Sequence, residues 1–261
     1  MKKLLKILII PLLHLIRRII EVIRRIIEVI SFHAIPSTPK LSVDKKNSVY
    51  KYYTEDEIRD SYNHFKKYFH DIFFDLRINL RNYAIKKALS NHKSGFYYIE
   101  FGVLKGISIN QFSEILKDIT IYGFDSFEGL KEDWKGGYVG KWHKSWDLNK
   151  QPPQLNNNCV PIIGWIQDTL PKFISERKDL KINFVHIDTD TYPTARFILQ
   201  QIKPYLVDGA IIIFDELYNF PGWRVGEYKA LTESFKEEEY EYLAFAMEGE
   251  SVVIQYKKIV K

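Results

Sequence analysis

Short apolar segments alternate with amphipathic segments from about residue 96 onward. The apolar segments have the length of buried strands, and the segments between them repeat their apolar positions at helical spacing. We predict strands at 97–101, 120–124, 160–165, 182–187 and 210–214, and helices at 107–117, 171–178, 192–205 and 223–236. This alternation predicts a mostly parallel sheet with helices on both faces, in which ligands bind at the carboxyl ends of the strands.

Both ends of this α/β pattern carry additions. The apolar segments 242–246 and 252–256 have no helix between them, so we predict a closing hairpin that turns around Gly249. Ahead of the sheet, the segment 54–57 reads Thr-Glu-Asp-Glu, the form of a capping box, and predicts that a helical pattern starts there. We expect that pattern to continue to about Asn91 with a break near His70, and we assign 51–94 to an N-terminal helical cap.

The first 33 residues have a different pattern, in which the sequence Ile-Arg-Arg-Ile-Ile-Glu-Val occurs at 16–22 and again at 23–29. This spacing predicts a basic amphipathic helix over 1–33, followed by a Pro- and Ser-containing linker over 34–50. The uncharged run 7–16 is too short to cross a bilayer and is followed at once by arginines, which argues against both a membrane span and a signal peptide. The helix is expected to lie on an anionic membrane, to pair with a second copy, or to pack on the body.

The charge of the chain is concentrated in that helix. Residues 1–33 contain seven Lys or Arg and two Asp or Glu, which accounts for the whole net charge of +5. The remaining chain is balanced and has no electrostatic footprint for nucleic acid. Cys159 is the single cysteine, so neither an internal disulfide nor a thiolate metal cluster can form, and we expect a cytoplasmic protein, peripheral at the inner face of the membrane.

Polar residues follow every predicted strand of the parallel sheet. Glycines 102 and 106 form a strand-to-helix turn that a ligand can approach closely, and the third glycine of a dinucleotide fingerprint is missing at its spacing. Asp125 follows about 20 residues later, where a carboxylate can bind the hydroxyls of a ribose. The later strand ends carry Gly164 with Trp165, Asp188 with Asp190, and Asp215 with Glu216. A single glycine can simply form a turn, and a single carboxylate can simply cap a helix. Polar residues at the ends of five strands, all on one edge of the sheet, predict a binding site.

Five sequence blocks carry a family resemblance: Tyr-Ile-Glu-Phe-Gly-Val-Leu-Lys-Gly-Ile-Ser ending at Ser108, Gly-Phe-Asp-Ser-Phe-Glu-Gly-Leu around Asp125, Gly-Trp-Ile-Gln-Asp-Thr-Leu-Pro from Gly164, His-Ile-Asp-Thr-Asp-Thr-Tyr around Asp188, and Phe-Asp-Glu ending at Glu216. Over about 95–257 the chain resembles class I S-adenosylmethionine-dependent methyltransferases, and more narrowly the macrocin O-methyltransferase family. The resemblance implies a Rossmann-like fold with a mostly parallel seven-stranded sheet, and a methyltransferase domain over 95–261.

The same resemblance assigns roles to the strand ends. It implies that S-adenosylmethionine binds through Glu100, Gly102, Gly106, Ser108, Asp125, Ser126, Gly164 and Trp165. It implies a divalent cation, Mg²⁺ or another, held by Asp188, Asp215 and Glu216, because hard oxygen ligands suit that ion. The family usually has a second aspartate at the position of Glu216, which is one methylene longer.

The remaining catalytic assignments come from position along the chain. Beside Asp188, we expect Asp190 to be the general base, with His143 in the aromatic loop 132–158 as the alternative. That loop is expected either to stack on a sugar ring or to be an ordinary surface loop. His186 lies within an apolar strand and is expected to be a core histidine.

The predicted function is metal-assisted O-methylation of a hydroxyl on a sugar-containing acceptor, such as a glycan, a glycolipid or a secondary metabolite. The alternatives are an NAD-dependent sugar oxidoreductase and a non-catalytic, membrane-associated scaffold with the same fold. The expected partners are a small-molecule or glycan acceptor, an anionic membrane surface through 1–33, and a second copy of the chain, with no nucleic acid.

Overall fold

The computed structural model describes residues 49–69, 73–74, 76–131, 146–247 and 249–259. The chain divides into two units, residues 1–51 and residues 52–261. The predicted amphipathic helix 1–33 lies outside the described residues, as does the predicted linker up to residue 48. Within the described ranges, no helix is long and apolar enough to cross a membrane.

The described elements alternate as the sequence pattern predicts. Two helices and a very short strand come first: α1 (Val49–Phe65), β1 (Phe73–Phe74) and α2 (Arg77–Ser90). The α/β region follows with β2 (Tyr97–Phe101), α3 (Ile107–Leu116), β3 (Ile121–Asp125), β4 (Cys159–Ile163), α4 (Ile166–Ser175), β5 (Ile182–Ile187), α5 (Tyr192–Ile202), β6 (Leu206–Phe214), α6 (Glu227–Ser234), β7 (Tyr240–Ala246) and β8 (Val252–Tyr256). Short 3₁₀ turns occupy Lys66–Tyr68, Lys203–Tyr205, Trp223–Val225 and Glu237–Glu239.

All the strands join one sheet in the order β1-β7-β8-β6-β5-β2-β3-β4. Every neighbouring pair is parallel except those of β8, which runs antiparallel to both β6 and β7. The predicted Rossmann-like fold and closing hairpin are therefore confirmed. Seven strands form the body of the sheet, and the two-residue β1 adds an eighth at its edge.

Both faces of the sheet are covered, because side chains alternate along each strand. In β5 all six residues are buried, as expected for a central parallel strand. Phe184 packs in the cluster formed with α2 and α3, whereas Val185 packs in the cluster formed with α4, α5 and α6. Polar side chains that lie on the same face of the sheet as Phe184 therefore point toward the part of the core that α2 and α3 cover.

Three predicted helix starts are wrong. The helix predicted over 223–236 begins at Glu227, after a short 3₁₀ turn over Trp223–Val225. Helix α1 begins at Val49, five residues before the capping-box Thr54, because no Gly or Pro interrupts the residues between them. Helix α4 begins at Ile166 rather than at Pro171, since the amides of Asp168 and Thr169 both donate to the Trp165 carbonyl at 2.9 and 3.0 Å. Pro171 lies inside this helix, where it removes one amide donor.

Candidate active site

The strand order reverses direction between β2 and β5, which lie side by side. A crevice outside the carboxyl ends of the strands is expected at such a point, and a cavity of about 260 Å³ opens there. It brings together eight of the predicted site residues: Gly102, Asp125, Ser126, Trp165, Asp188, Asp190, Asp215 and Glu216. We call Gly102, Asp125 and Ser126 the cofactor side of the cavity, and the four carboxylates from Asp188 to Glu216 the acidic side.

Four other predicted residues do not line the cavity, and a fifth lies outside the described residues. The residues that line the cavity do not include Glu100, Gly106, Ser108 or Gly164. Glu100 and Ser108 are buried beneath it and hydrogen-bonded to each other. His143 lies outside the described residues, so its role stays a prediction.

Gly102 allows the turns after β2 and β5 to pack backbone against backbone. Its φ is 88°, and a Cβ atom there would lie 1.8 Å from the carbonyl oxygen of Asp188. The amide of Asp188 in turn donates to the carbonyl of Phe101 at 2.9 Å. Only glycine fits this position, because its backbone conformation is left-handed and the neighbouring backbone leaves no room for a side chain.

Asp125 fixes the shape of the turn that contains Gly102. One carboxylate oxygen accepts the amides of Val103 and Leu104, both at 2.8 Å, and the other accepts the amide of Phe127 at 2.7 Å. Leu104 has a φ of 43°, an uncommon conformation for leucine, and these bonds hold it there. Asp125 therefore builds the turn, and its predicted contact with a ribose stays a prediction.

His186 links the buried layer to the acidic side. Its Nδ1 lies 3.5 Å from Glu100 and its Nε2 lies 3.7 Å from Asp215, and neither nitrogen has a hydrogen-bond partner among the described residues. Burial alone would lower the pKa of His186, but Asp215 and Glu100 outweigh it and raise the pKa to about 9. His186 is a buried core histidine, as predicted, yet it faces two carboxylates rather than apolar groups alone.

The carboxylates of the acidic side raise one another's pKa values because like charges lie close together. Burial, reinforced by neighbouring Asp215, raises the pKa of Asp188 to about 7. Burial and the nearby Glu216 and Asp188 also raise the pKa of Asp190 well above its ordinary value. A cation would relieve this repulsion, and ligand atoms of His186, Asp188 and Asp215 lie within 4.8 Å of one another. The two carboxylates of this group, Asp188 and Asp215, are hard oxygen donors of the kind that a divalent cation binds.

Comparison with known proteins agrees with this fold. A family model described as a methyltransferase domain matches residues 99–217. The calicheamicin methyltransferase CalS11 superposes with a TM-score of 0.57 at 20% identity, covering 69% of this chain and 79% of that chain. The O-methyltransferase NovP superposes with a TM-score of 0.51 at 19% identity, and the match covers 70% of this chain and 80% of that chain. A search of curated proteins gave no match.

Residues 99–217 form a methyltransferase domain. The predicted class of enzyme is thereby confirmed, since the matched domain spans β2 through β6 and contains every residue of both sides of the cavity. The solved relatives share the fold of this methyltransferase.

Two arginines of the methyltransferase were missed by sequence analysis. Arg77 donates to one oxygen of Asp215 at 2.9 Å, and Arg81 donates to the other at 3.0 Å. Although burial alone would raise it, the pKa of Asp215 is held below its ordinary value by His186, Arg81 and Arg77. Both arginines belong to α2, which precedes the matched domain and contains no recognised motif. The available signal was their spacing of four residues on one helix, which places them on one face.

Proposed function

We propose that this methyltransferase is a divalent-metal-assisted O-methyltransferase that acts on a hydroxyl of a sugar-containing acceptor. The observation that carries the proposal is the single cavity that joins the glycine turn of the cofactor side to the carboxylates of the acidic side. Two comparisons support the acceptor class. CalS11 is described as a TDP-rhamnose 3'-O-methyltransferase, and its apo structure superposes with a TM-score of 0.52 at 20% identity, covering 69% of this chain and 79% of that one. The sequence blocks that resemble macrocin O-methyltransferases support the same class.

On the cofactor side, the proposal assigns S-adenosylmethionine to the space between the glycine turn and Trp165. Asp125 and Ser126 line this space, and Trp165 offers an aromatic face with the Lys131 ammonium 5.2 Å from its ring centre. Ligand pockets are typically lined by apolar and aromatic side chains, and a few backbone amides or other polar groups fix the orientation of the ligand. The protein orients the cofactor, and the cofactor supplies the reactive methyl group.

On the acidic side, carboxylates among Asp188, Asp215 and Glu216 would hold the cation. When bound, such a cation lowers the pKa of a substrate hydroxyl. Asp190 is the proposed general base, because it lines the cavity. Its φ of 59° supports a functional role, since backbone conformations that few non-glycine residues adopt cluster at active sites. Its carboxylate takes the hydroxyl proton while the acceptor oxygen attacks the methyl carbon and the carbon–sulfur bond breaks. The products are a methyl ether and S-adenosylhomocysteine.

The test uses the full chain with methyl-labelled S-adenosylmethionine, Mg²⁺, and TDP-rhamnose or simple glycosides as acceptor probes. We expect label in an acceptor whose mass increases by one methyl group, and loss of that transfer in Asp190→Asn. The matched control Asp168→Asn alters a carboxylate in the first turn of α4 that is not among the cavity-lining residues. Transfer to nitrogen or carbon acceptors only, or undiminished transfer by Asp190→Asn, would refute the assignment.

We also propose that residues 1–33 bind anionic membranes from the cytoplasmic side. The support is the sequence alone: these residues hold the whole net charge of +5, and their heptads separate isoleucines from arginines at helical spacing. Each basic residue near an anionic surface contributes about 1 kcal/mol to binding, and salt screens that attraction.

The membrane test compares the full chain with a form that lacks residues 1–33, using phosphatidylglycerol vesicles at low and high salt. Phosphatidylcholine vesicles are the control for charge. We expect only the full chain to sediment with the anionic vesicles, and less of it at high salt. Equal sedimentation of both forms, together with dimerisation of the full chain alone, would instead assign the helix to self-association.

A further inference from the structure

Glu227 is a buried carboxylate that the proposed mechanism does not use. It begins helix α6, beyond the matched domain, and is only 1% exposed. Its Oε2 accepts the amide of Glu216 at 3.0 Å, whereas its Oε1 is buried with no hydrogen-bond partner among the described residues. Burying a carboxylate is costly, and an unsatisfied buried oxygen calls for an explanation. The bond to Glu216 is therefore the first place to look for a role.

The amide of Glu216 lies beyond the end of the ladder between β6 and β8. On one side of it along the chain, the amide of Asp215 still donates to a carbonyl of β5 at 2.9 Å. On the other side, the amide of Leu217 donates to the carbonyl of Glu250 at 2.8 Å. Between them, Glu227 supplies the acceptor for Glu216. Three consecutive amides are thus fixed, and the middle one is fixed by a side chain.

The side chain of Glu216 belongs to the acidic side of the cavity. It is among the cavity-lining residues. Burial and the nearby Glu216 carboxylate together raise the pKa of Asp190 well above its ordinary value, which indicates that these two side chains lie close together. The amide and the side chain of Glu216 are attached to the same Cα atom, so rotation of the backbone there would also move the carboxylate. A fixed amide therefore limits the positions that this carboxylate can reach.

A simpler role for Glu227 follows from its place in α6. It is the acidic residue in the first turn, where amides without partners in the helix carry partial positive charge and favour an anion. Aspartate would serve that purpose equally well, because the effect depends on charge near the helix start. The bond to the Glu216 amide depends instead on an acceptor oxygen at the full length of a glutamate side chain. The two roles therefore differ in what they require of this position.

We propose that Glu227 is a positioning residue that fixes the backbone at Glu216 and so holds the Glu216 carboxylate at the acidic side. What matters in Glu227 is an acceptor oxygen at the right reach, and its charge is secondary. Where it concerns cation binding, this inference rests on the proposed function, in which Glu216 is one of the carboxylates that would hold a divalent cation.

The test compares Glu227→Gln, which keeps the length and an acceptor oxygen but removes the charge, with Glu227→Asp, which keeps the charge but is one methylene shorter. In calorimetric titration of the full chain with Mn²⁺, we expect Glu227→Gln to bind within about threefold of the unaltered chain and Glu227→Asp to bind about tenfold more weakly, the loss typical when a residue that orients a metal ligand is removed.

The matched control is Glu233→Gln, on the same helix. The side chain of Glu233 is 37% exposed and pairs with Arg196 at 3.1 Å, so this variant should leave Mn²⁺ affinity unchanged. Equal Mn²⁺ affinities of Glu227→Gln and Glu227→Asp would overturn the inference. Weaker binding by Glu227→Gln than by Glu227→Asp would also overturn it, because charge would then be the property that matters.

A measurement without metal separates this inference from the proposed function. Hydrogen exchange of the Glu216 amide, followed by NMR, should be as slow in Glu227→Gln as in the unaltered chain and at least about tenfold faster in Glu227→Asp. Unchanged exchange in Glu227→Asp would overturn the positioning role. If the unaltered chain bound no Mn²⁺, the cation of the proposed function would be refuted, and the exchange rates alone would decide whether Glu227 fixes Glu216.

Discussion

Asp125 on the cofactor side is bonded to three backbone amides that lie within 22 residues of it along the chain, whereas Asp215 on the acidic side is bonded to arginines 134 and 138 residues away. The amides are neutral dipoles fixed by the turn itself. The arginines carry charge and depend on the docking of a separate helix. One side of the cavity is thus built by local backbone geometry, and the other by long-range electrostatics. Changes to the two sides should therefore have separable effects on cofactor binding and on methyl transfer.

The largest effect is expected from Gly102→Ala, because Gly102 is where the two sides touch. The added Cβ would meet the Asp188 carbonyl at 1.8 Å in a left-handed conformation. We expect a loss of about 3 to 5 kcal/mol in the free energy of unfolding, from overpacking and backbone strain together. Chemical denaturation measures it. Gly95→Ala is the matched control, since its φ is 84° but nothing lies within 4 Å of the added atom. Equal stability of the two variants would show that the contact at Gly102 is unimportant.

Asp188→Asn should separate the two sides by function. Loss of this charge on the acidic side is expected to slow methyl transfer about 100-fold or more, which is typical when a group that stabilises charge in the transition state is removed. Affinity for S-adenosylmethionine should stay within about threefold, because the amides bonded to Asp125 are untouched. Steady-state kinetics and calorimetry on one preparation give both values. A parallel loss of cofactor affinity would contradict the separation.

Asp125→Ala should have the converse effect. It removes the acceptor of three backbone amides and should weaken S-adenosylmethionine binding by about 1 to 3 kcal/mol. At saturating cofactor, the variant should recover most of the methyl-transfer rate. Glu114→Ala, at an exposed position on α3, is the control. Unchanged cofactor affinity in a folded Asp125→Ala protein would refute the role of this carboxylate.

A further effect concerns pH and the buried histidine. The pKa of His186 rises from 6.5 to about 9 on folding, so the folded chain holds this proton more tightly than the unfolded chain does. Its contribution to stability is complete below about pH 6.5 and is lost as the pH rises through about 9. Denaturation midpoints should therefore fall over that range, and His186→Asn should flatten the decline. A midpoint that rises with pH would contradict the charged pair of His186 and Asp215.

The cofactor side could be predicted from sequence because its signals are local. A strand, a glycine turn and a carboxylate about 20 residues later specify one arrangement, and the structure places Gly102 and Asp125 together at the cavity. The strand-end pattern also located Asp188, Asp190, Asp215 and Glu216. The alternation of segments predicted the parallel sheet and its closing hairpin correctly, because both depend on short-range periodicity.

Other features depend on contacts that no local pattern records. Nothing near Arg77 or Arg81 in the sequence indicates that they meet Asp215, since only the docking of α2 against β6 brings them together. Glu100 and Ser108 were assigned to the cofactor from their place in a motif. Side-chain alternation along β2 directs Glu100 into the core, toward Ser108 and His186, and the assignment of Glu100 and Ser108 to the cofactor stays a prediction. Helix starts at Val49 and Ile166 were missed because capping residues and prolines also occur inside helices.

The most direct test of the two-sided cavity is a calorimetric titration of the full chain with S-adenosylmethionine, once in excess chelator and once in Mg²⁺. The cofactor side contains no cation ligand, so we expect the two affinities to agree within about threefold, while methyl transfer in the chelator is lost. Failure of S-adenosylmethionine to bind in the chelator would show that the cofactor depends on the acidic side, and would contradict the division of the cavity into two independent halves.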